Sequence, residues 1–347
     1  MNAPHRTALE FPWDAPPPPG EAVEVAPGVL WLRMPLPFAL DHINLWLLRE
    51  HGGFTAVDCG YGNDATRALW ERHFEGTMAR APLMRIIATH YHPDHLGNGA
   101  WLAQRHGCPI AMTQAEFLTA HAIFEQQGAH AIADTCTLFE RHGLAPEHLA
   151  ELAGRGNHYR RGVPEIPRSF DRIIGGDTIV GGAHAWQVIP GYGHSPEHAA
   201  LHARDAGTLI AGDMLLPRIT TNVAVWPAEP DGDPLARFLD SLAAFERLPA
   251  ATLVLPSHGL PFRGAGERVA ALRAHHAARL AELTEFIAAA ARPCSAVDVL
   301  PVLFRRPLDL QQRFFAMGEA IAHLNHLWRA GALARSAAPD GAVRFSA

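Results

Sequence analysis

The sequence contains no lysine, so arginine carries all of its positive charge, a compositional bias without functional content. With a formal charge of −6 the chain has no cationic excess for non-specific attraction to nucleic acid or to an anionic membrane. Cysteine is scarce as well. Cys59, Cys108, Cys136 and Cys294 are scattered without paired spacing, which excludes a disulfide framework and favours packing roles in a reducing cytoplasm. No apolar run reaches the roughly 18 residues that a membrane span requires. The stretch from Met1 to Gly28, interrupted by Pro16 to Pro19, lacks the apolar core of a secretory signal. These absences together lead to an expectation of a cytoplasmic protein with no membrane partner.

What is abundant is histidine, with 22 residues, several of them beside Asp or Gly. The 347 residues, 48% apolar and 18% charged, suffice for a well-buried core and suggest about two domains. Apolar runs at Val29 to Leu32, Ile43 to Leu48, Thr55 to Asp58 and Leu83 to Ala88 read as strands. They alternate with helical stretches over Asn63 to Phe74 and Gly97 to His106, after which Cys108 to Met112 resumes the sheet. Further strands are expected at Arg172 to Ile174, His184 to Ile189, Ala199 to His202, Thr208 to Ala211 and Thr252 to Leu255. A helix over Leu235 to Leu248 precedes the last of them.

Between residues 113 and 170 the pattern changes to short amphipathic helices broken by glycine and proline, too long for an ordinary connection, so a helical cap is expected. Its apolar residues Phe117, Ile123, Phe124, Ile132, Leu138 and Phe139 read by default as core, with a substrate pocket as the alternative. Beyond Gly264, Val269, Leu272, His276, Leu280, Leu283 and Ile287 recur at helical spacing. Pro293 ends that helix, Ser295 caps a second, and Leu310 to Arg329 forms a third. A hairpin signal at Pro339, Asp340 and Gly341 follows, and three helices with a hairpin resemble a winged helix. The expected organisation is a Pro-rich leader (1–24), a main domain (25–263) carrying the cap (113–170), and a C-terminal winged-helix-like domain (264–347).

The chemistry concentrates in Thr89-His90-Tyr91-His92-Pro93-Asp94-His95. Three imidazoles and a carboxylate at the end of a buried strand have little use except to hold metal. Gly193-His194, Gly212-Asp213 and Ser257-His258 each add one ligand-type side chain at or just beyond the end of another apolar strand, beside glycines that permit close backbone approach. Five histidines and two aspartates are enough for two ions.

This ordered set resembles the metallo-beta-lactamase superfamily, whose signature is His-x-His-x-Asp-His followed by a later His, a bridging Asp and a last His. The resemblance spans roughly Val29 to Phe262 and implies an α/β fold, the four-layer αββα sandwich. It implies that His90, His92 and His194 hold one metal, that Asp94, His95 and His258 hold the second, and that Asp213 bridges. Two zinc ions are the implied cofactors, with iron or manganese compatible with the same ligands. A metal-bound hydroxide would then attack a carbonyl or phosphoryl centre, with Asp94 as the catalytic residue that orients it or accepts its proton. Asp58 reads as a supporting or turn residue.

Departures from better-known branches narrow the reaction. Exported zinc lactamases use Cys where Asp213 stands, nucleases with a large inserted domain need a longer span between Asp213 and His258, and flavodiiron proteins replace the second histidine and add a flavin domain. Glyoxalase II enzymes continue the last histidine with a Glu-Tyr-Thr type sequence where this chain has Gly259-Leu260-Pro261. Quorum-signal lactonases carry tyrosine where this chain has Leu216. The remaining match is the subgroup with a C-terminal winged-helix domain, which includes thioester or ester hydrolases and RNA-cleaving relatives. The expected activity is hydrolysis of a carboxylic thioester or ester, acyl-CoA-like or glutathione-like. The rivals are a phosphodiesterase or endoribonuclease and a non-catalytic metal-binding regulator. Tyr91, Tyr159, Arg160 and Arg218 are the candidate substrate contacts. The expected partner is a small molecule; the C-terminal domain is expected to pack on the core, close the cleft or make a homodimer rather than read nucleic acid with Gln311, Gln312, Arg313, His323 and Arg329.

Overall fold

The computed structural model describes residues 9–38, 40–339 and 341–347. The start of the leader and Asp340 of the hairpin signal lie outside them. Among the described residues, β1 (Val23–Ala26), β2 (Val29–Pro35), β3 (His42–Glu50) and β4 (Gly53–Val57) follow one another as an antiparallel meander. The turn joining β3 to β4 contains Gly52 at φ +89°, a left-handed position that glycine adopts without strain. The chain continues through α1 (Asp64–Glu75), β5 (Leu83–Ile87), α2 (Pro93–Leu96), α3 (Gly99–His106) and β6 (Ile110–Met112). Next come α4 (Gln114–Phe124), α5 (Ile132–Arg141), α6 (Pro146–Gly154), α7 (Tyr159–Gly162) and β7 (Asp171–Arg172). β1 to β7 form one sheet in sequence order, in which β4 to β7 run parallel.

A second sheet, ordered β12-β11-β10-β9-β8, is built from β8 (Thr178–Gly181), β9 (His184–Gly191), β10 (His198–Ala203), β11 (Thr208–Gly212) and β12 (Leu253–Pro256), with α8 (Pro234–Glu246) before β12. The chain ends with α9 (Ala265–Ala290), α10 (Ala296–Leu303), α11 (Leu310–Arg329) and the hairpin β13 (Ala334–Ala337) and β14 (Val343–Ser346). No helix of the described residues is long and apolar enough to cross a membrane.

Period-two alternation makes the sandwich. In β2, Trp31 faces the second sheet, whereas Leu30, Leu32 and Met34 face the helical layer that contains Trp70, Phe74 and Leu102. β3 repeats the division with Trp46 and Leu48 inward and Ile43, Leu45 and Leu47 outward. Trp31 and Trp46 are directly paired in the ladder and stack at 6.2 Å, opposite Trp186, Leu201 and Ile210 of the second sheet. The far face of that sheet, with Ala200, Leu209 and Val254, is covered by Leu235, Phe238 and Leu242 of α8 and by Val269 and Leu272 of α9. The result is the four-layer αββα arrangement with a C-terminal helical domain.

The structure adds β1 and β8 and shortens the strand expected at Arg172 to Ile174 to two residues. All three are short edge segments; Val180 of β8 is 68% exposed, so little burial exists to print a pattern in the sequence. The helix expected from Gly97 begins at Gly99 and is preceded by α2, one turn with Pro93 at a position where proline's missing N–H costs nothing. Residues of the leader lie along the main domain: Glu10 pairs with Arg263, and Trp13 meets Trp31 edge-on at 6.5 Å.

The residues of the cap divide between two cores. Phe117, Ile123 and Phe124 pack on the helical layer over the first sheet. Leu138, Phe139, Leu144 and Leu152 instead share one core with Val299, Met317, Ile321 and Leu324 of α10 and α11. The default core reading of these side chains therefore holds. α11 is buried along most of its length; Arg313 bonds His148, Arg329 bonds the Asp231 carbonyl, and His323 is buried against His276. Phe139 is fully buried, so Phe139→Ala is expected to cost about 3–5 kcal/mol through lost burial and the cavity left behind. Urea unfolding measures that loss, and hydrogen exchange should show amides of α5 and α11 losing protection together.

Candidate metal centre

Strand direction brings the polar loops together. β4, β5 and β6 end at one rim of the first sheet, and β9, β11 and β12 end at one rim of the second. The rims are joined by backbone bonds from Ala199 to the Thr89 carbonyl at 2.9 Å and from Asn44 to the Ser257 carbonyl at 2.7 Å. Buried Asn44 adds side-chain bonds to the carbonyls of Pro256 and Gly259 and accepts from the Trp31 indole. α2 carries Asp94 and His95 on a single turn whose amides bond back to His92. Gly212, at φ +54°, leaves no room for a Cβ, which would stand 2.2 Å from His198 Nε2, so the chain can turn from β11 into Asp213 only through glycine here.

The seven side chains singled out in the sequence gather into two groups at this junction. His90, His92, His194 and Asp213 form one, and Asp94, His95 and His258 form the other, with the ligand-type atoms of each group within 4.8 Å of one another. In the first, His90 Nε2 lies 2.8 Å from His92 Nδ1 and 3.2 Å from His194 Nε2. In the second, Asp94 Oδ2 lies 3.7 Å from His95 Nε2 and 3.4 Å from His258 Nε2. The Asp213 carboxylate is divided between them: Oδ2 is 3.3 Å from His194 Nε2, while Oδ1 is 3.6 Å from His95 Nε2 and 3.4 Å from His258 Nε2.

The outward-facing ring atoms fix how these imidazoles present themselves. His95 Nδ1 donates to Asp58 Oδ2, His194 Nδ1 to the Asn222 carbonyl and His258 Nδ1 to the His42 carbonyl, each at 2.8 Å. An imidazole whose Nδ1 donates to such an acceptor points Nε2 inward as a lone pair when neutral. Asp58 also accepts from the amide and hydroxyl of Thr89, and it sits at φ 64°, a costly conformation that the site maintains. Asp58 thus supports the site from outside it, as its position in the sequence suggested.

The residues fit a divalent metal. His95 Nε2 and Asp213 Oδ1 are buried without a hydrogen-bond partner, in a cluster whose nitrogen and oxygen lone pairs face one another. Ligand atoms about 2.0–2.2 Å from a tetrahedral zinc stand about 3.3 Å apart, close to the spacing here. Electrostatics agrees. Burial, reinforced by the neighbouring histidines, holds His90 well below its ordinary value, and burial lowers His92 to about 3. For His95 and His258 burial also disfavours charge, but the surrounding aspartates outweigh it, raising His95 well above its usual range and His258 to about 10. Against the same burial, His258 and His95 keep Asp213 ionised.

Two supporting residues carry no distinguishing signal in the sequence. Glu116, fully buried on the cap helix α4, accepts from the Tyr91 amide at 3.0 Å, the Ser195 hydroxyl at 2.7 Å and the Glu197 amide at 2.6 Å. It therefore clamps the His90–His92 loop to the His194 loop, although in sequence it reads as an acid in the first turn of a helix. His198 lies under His90, with ring centroids 5.0 Å apart, and its Nε2 faces the Asp213 amide at 3.3 Å.

The candidate substrate contacts have other partners. Tyr91 and Tyr159 are buried, and the Tyr159 hydroxyl donates to the Tyr91 carbonyl at 2.6 Å. Arg160 lies over the Phe124 ring at 4.0 Å and bonds Glu125, while Arg218 lies 5.7 Å from the Phe11 ring.

A family profile described as the metallo-beta-lactamase superfamily matches residues 39–258, and one described as the metallo-beta-lactamase-like C-terminal domain matches residues 281–347. The crystal structure of a beta-lactamase domain protein from Burkholderia ambifaria is 46% identical, covers 97% of this chain and 98% of that one, and superposes with a TM-score of 0.90. The probable metallo-hydrolase YqjP of Bacillus subtilis (strain 168) is 25% identical over 86% of this chain and 92% of its own length. A hydroxyacylglutathione hydrolase of Erythrobacter litoralis (strain HTCC2594) is 23% identical over 51% of this chain and 49% of its own length.

Because the surrounding aspartates raise His95 and His258 toward the protonated form, metal uptake must displace protons from them, and affinity should rise with pH toward about 10. Calorimetric titration in buffers of different ionisation enthalpy should show release of about one to two protons. Glu116→Gln sets an amide donor against at least one of the three donors that Glu116 accepts, at a cost of about 1–3 kcal/mol. It should weaken metal binding about 10- to 100-fold in chelator competition, and unchanged affinity would remove Glu116 from the support of the site.

Proposed function

The chain belongs to the metallo-beta-lactamase superfamily, and from that membership we propose that it is a two-zinc hydrolase acting on a carboxylic thioester or ester. The observation that carries the reading is the division of the Asp213 carboxylate, one oxygen toward each group of ligand-type side chains. His90, His92 and His194 would hold one ion and Asp94, His95 and His258 the other, with Asp213 between them. Such ions, when bound, supply Lewis acidity toward a carbonyl oxygen and a water acidified toward neutral pH.

The protein's own part is positioning and proton handling. The Nδ1 bonds of His95, His194 and His258 keep three rings fixed, so the centre needs no rearrangement when substrate arrives. Asp94 keeps 15% of its side-chain surface accessible, and although burial opposes it, His95 and His258 hold its carboxyl below the ordinary value. Ionised, Asp94 has a lone pair free to take a proton and holds none to give a leaving group at the outset. Water's oxygen joins the acyl carbon, its proton passes to Asp94, and the carbon–sulfur bond breaks with the electron pair leaving on sulfur. A thiolate, whose thiol has a pKa near about 8.5, departs with little help from an acid, whereas an alkoxide needs more. This favours the thioester over the ester.

The similarity to a protein named for acylglutathione hydrolysis supports the same substrate class. Tyr61, whose phenol burial raises with a contribution from the Asp94 charge, packs edge-on against Phe38 at 5.8 Å, and the two are proposed to flank the acyl group. Burial of α11 and the engagement of Arg313 and Arg329 favour a small molecule over nucleic acid as partner.

Zinc-loaded protein offered acyl-CoA and acylglutathione thioesters, simple esters and a single-stranded RNA tests the proposal. Thioester turnover is expected, and Asp94→Asn should lower kcat about 10²- to 10⁴-fold in protein that still retains zinc. Cleavage of the RNA without turnover of any acyl substrate would overturn it.

A further inference from the structure

The segment Thr221 to Trp226, between β11 and α8, touches the metal centre on one side and α11 on the other. The Thr221 hydroxyl donates to the Asp213 carbonyl at 2.5 Å, and the Asn222 carbonyl accepts from His194 Nδ1 at 2.8 Å. On the opposite side the Val225 amide bonds the Gly318 carbonyl at 3.0 Å, and Trp226 packs on Phe314 at 5.0 Å. Gly318 is required by the closeness of this docking, since a Cβ there would stand 2.8 Å from Ala224.

At the centre of the contact, Glu319 of α11 receives the Asn222 side-chain amide on its carboxyl at 3.1 Å. Among the described residues no cation pairs with it. Burial pushes this carboxyl up to about 7, offset in part by the Asn222 bond, so a substantial neutral fraction exists near neutral pH. Its turn of α11 is itself anchored: His323 Nδ1 donates to the Glu319 carbonyl at 2.9 Å, and His323 Nε2 lies 3.3 Å from His276 Nδ1 of α9. Glu319 is half-buried, and holding an acid there without an ionic partner is unfavourable. The hydrogen bond to Asn222 is what the carboxyl supplies in return.

We propose that Glu319 is a positioning residue of the metal centre: by holding the Asn222 side chain it fixes the Asn222 peptide, whose carbonyl sets the orientation of the His194 imidazole. The C-terminal domain thereby contributes to the centre without supplying a ligand. The inference rests on the reading of His194 as a metal ligand.

The test uses the full-length protein, with zinc affinity by chelator competition and the visible absorption of the cobalt-loaded form as readouts. Glu319→Ala is expected to weaken zinc binding about tenfold and to shift the cobalt bands, because an imidazole held less firmly changes the ligand field. Glu319→Gln presents the same carbonyl acceptor to Asn222 and should restore both. Asn222→Ala, which removes the same bond from the other side, should reproduce the loss, and the double variant Asn222→Ala/Glu319→Ala should lose no more than either alone. Asn222→Ala alone also serves if Glu319→Ala fails to fold. Wild-type affinity and spectrum in folded Glu319→Ala, or a Gln variant as defective as Ala, would overturn the inference while leaving the metal reading intact. Failure of the unaltered protein to take up zinc or cobalt would overturn the metal reading and this inference with it.

Discussion

The Asp213 carboxylate lies between two clusters of imidazole and carboxylate lone pairs, and the rest of the molecule is organised around keeping it there. Five histidines and two aspartates, most of them buried, are a poor way to fill the space between two sheets. Their nitrogen and oxygen atoms repel unless protons or cations lie between them. In the metal-free protein, protons on His95 and His258 serve that purpose. Divalent ions would do it better, since His95 Nε2 and Asp213 Oδ1 are buried without a hydrogen-bond partner.

Three separate parts of the chain hold this arrangement. The sandwich aligns the strand ends, and Asn44 ties the rims of the two sheets to each other. The cap reaches in through Glu116, which joins the loop of His90 and His92 to the loop of His194. The C-terminal helix α11 meets the back of the His194 loop through the segment from Thr221 to Trp226. Cap and C-terminal domain are also joined to each other, since Phe139 and Leu138 lie in one core with Met317 and Ile321. The two accessory regions therefore act on the centre as one connected support.

Much of the arrangement was legible in the sequence because the signals were local and chemically narrow. His90, His92, Asp94 and His95 lie within one short stretch, and His194, Asp213 and His258 each follow an apolar strand, so order and placement together marked the junction. Long periodic elements were equally readable: α11 spans Leu310–Arg329 as expected, and Ser295 caps α10 through a reciprocal bond with Asp298. The edge strands β1 and β8 were not readable, because a short exposed strand buries too little to leave a pattern. Glu116 and Glu319 were hidden for a different reason. Each is an ordinary acid on a helix until the fold brings it to a partner far away in sequence. The apolar cap residues had two readings, and only their packing separates them: Phe117, Ile123 and Phe124 lie on the helical layer over the first sheet, Leu138 and Phe139 in the core shared with α10 and α11.

Anomalous diffraction at the zinc edge from crystals of the zinc-loaded protein tests the central claim most directly. Two peaks about 3.5–4 Å apart are predicted, one beside His90, His92 and His194, the other beside Asp94, His95 and His258, with one Asp213 oxygen toward each. A single peak, or two peaks with Asp213 turned away from either, would contradict the account.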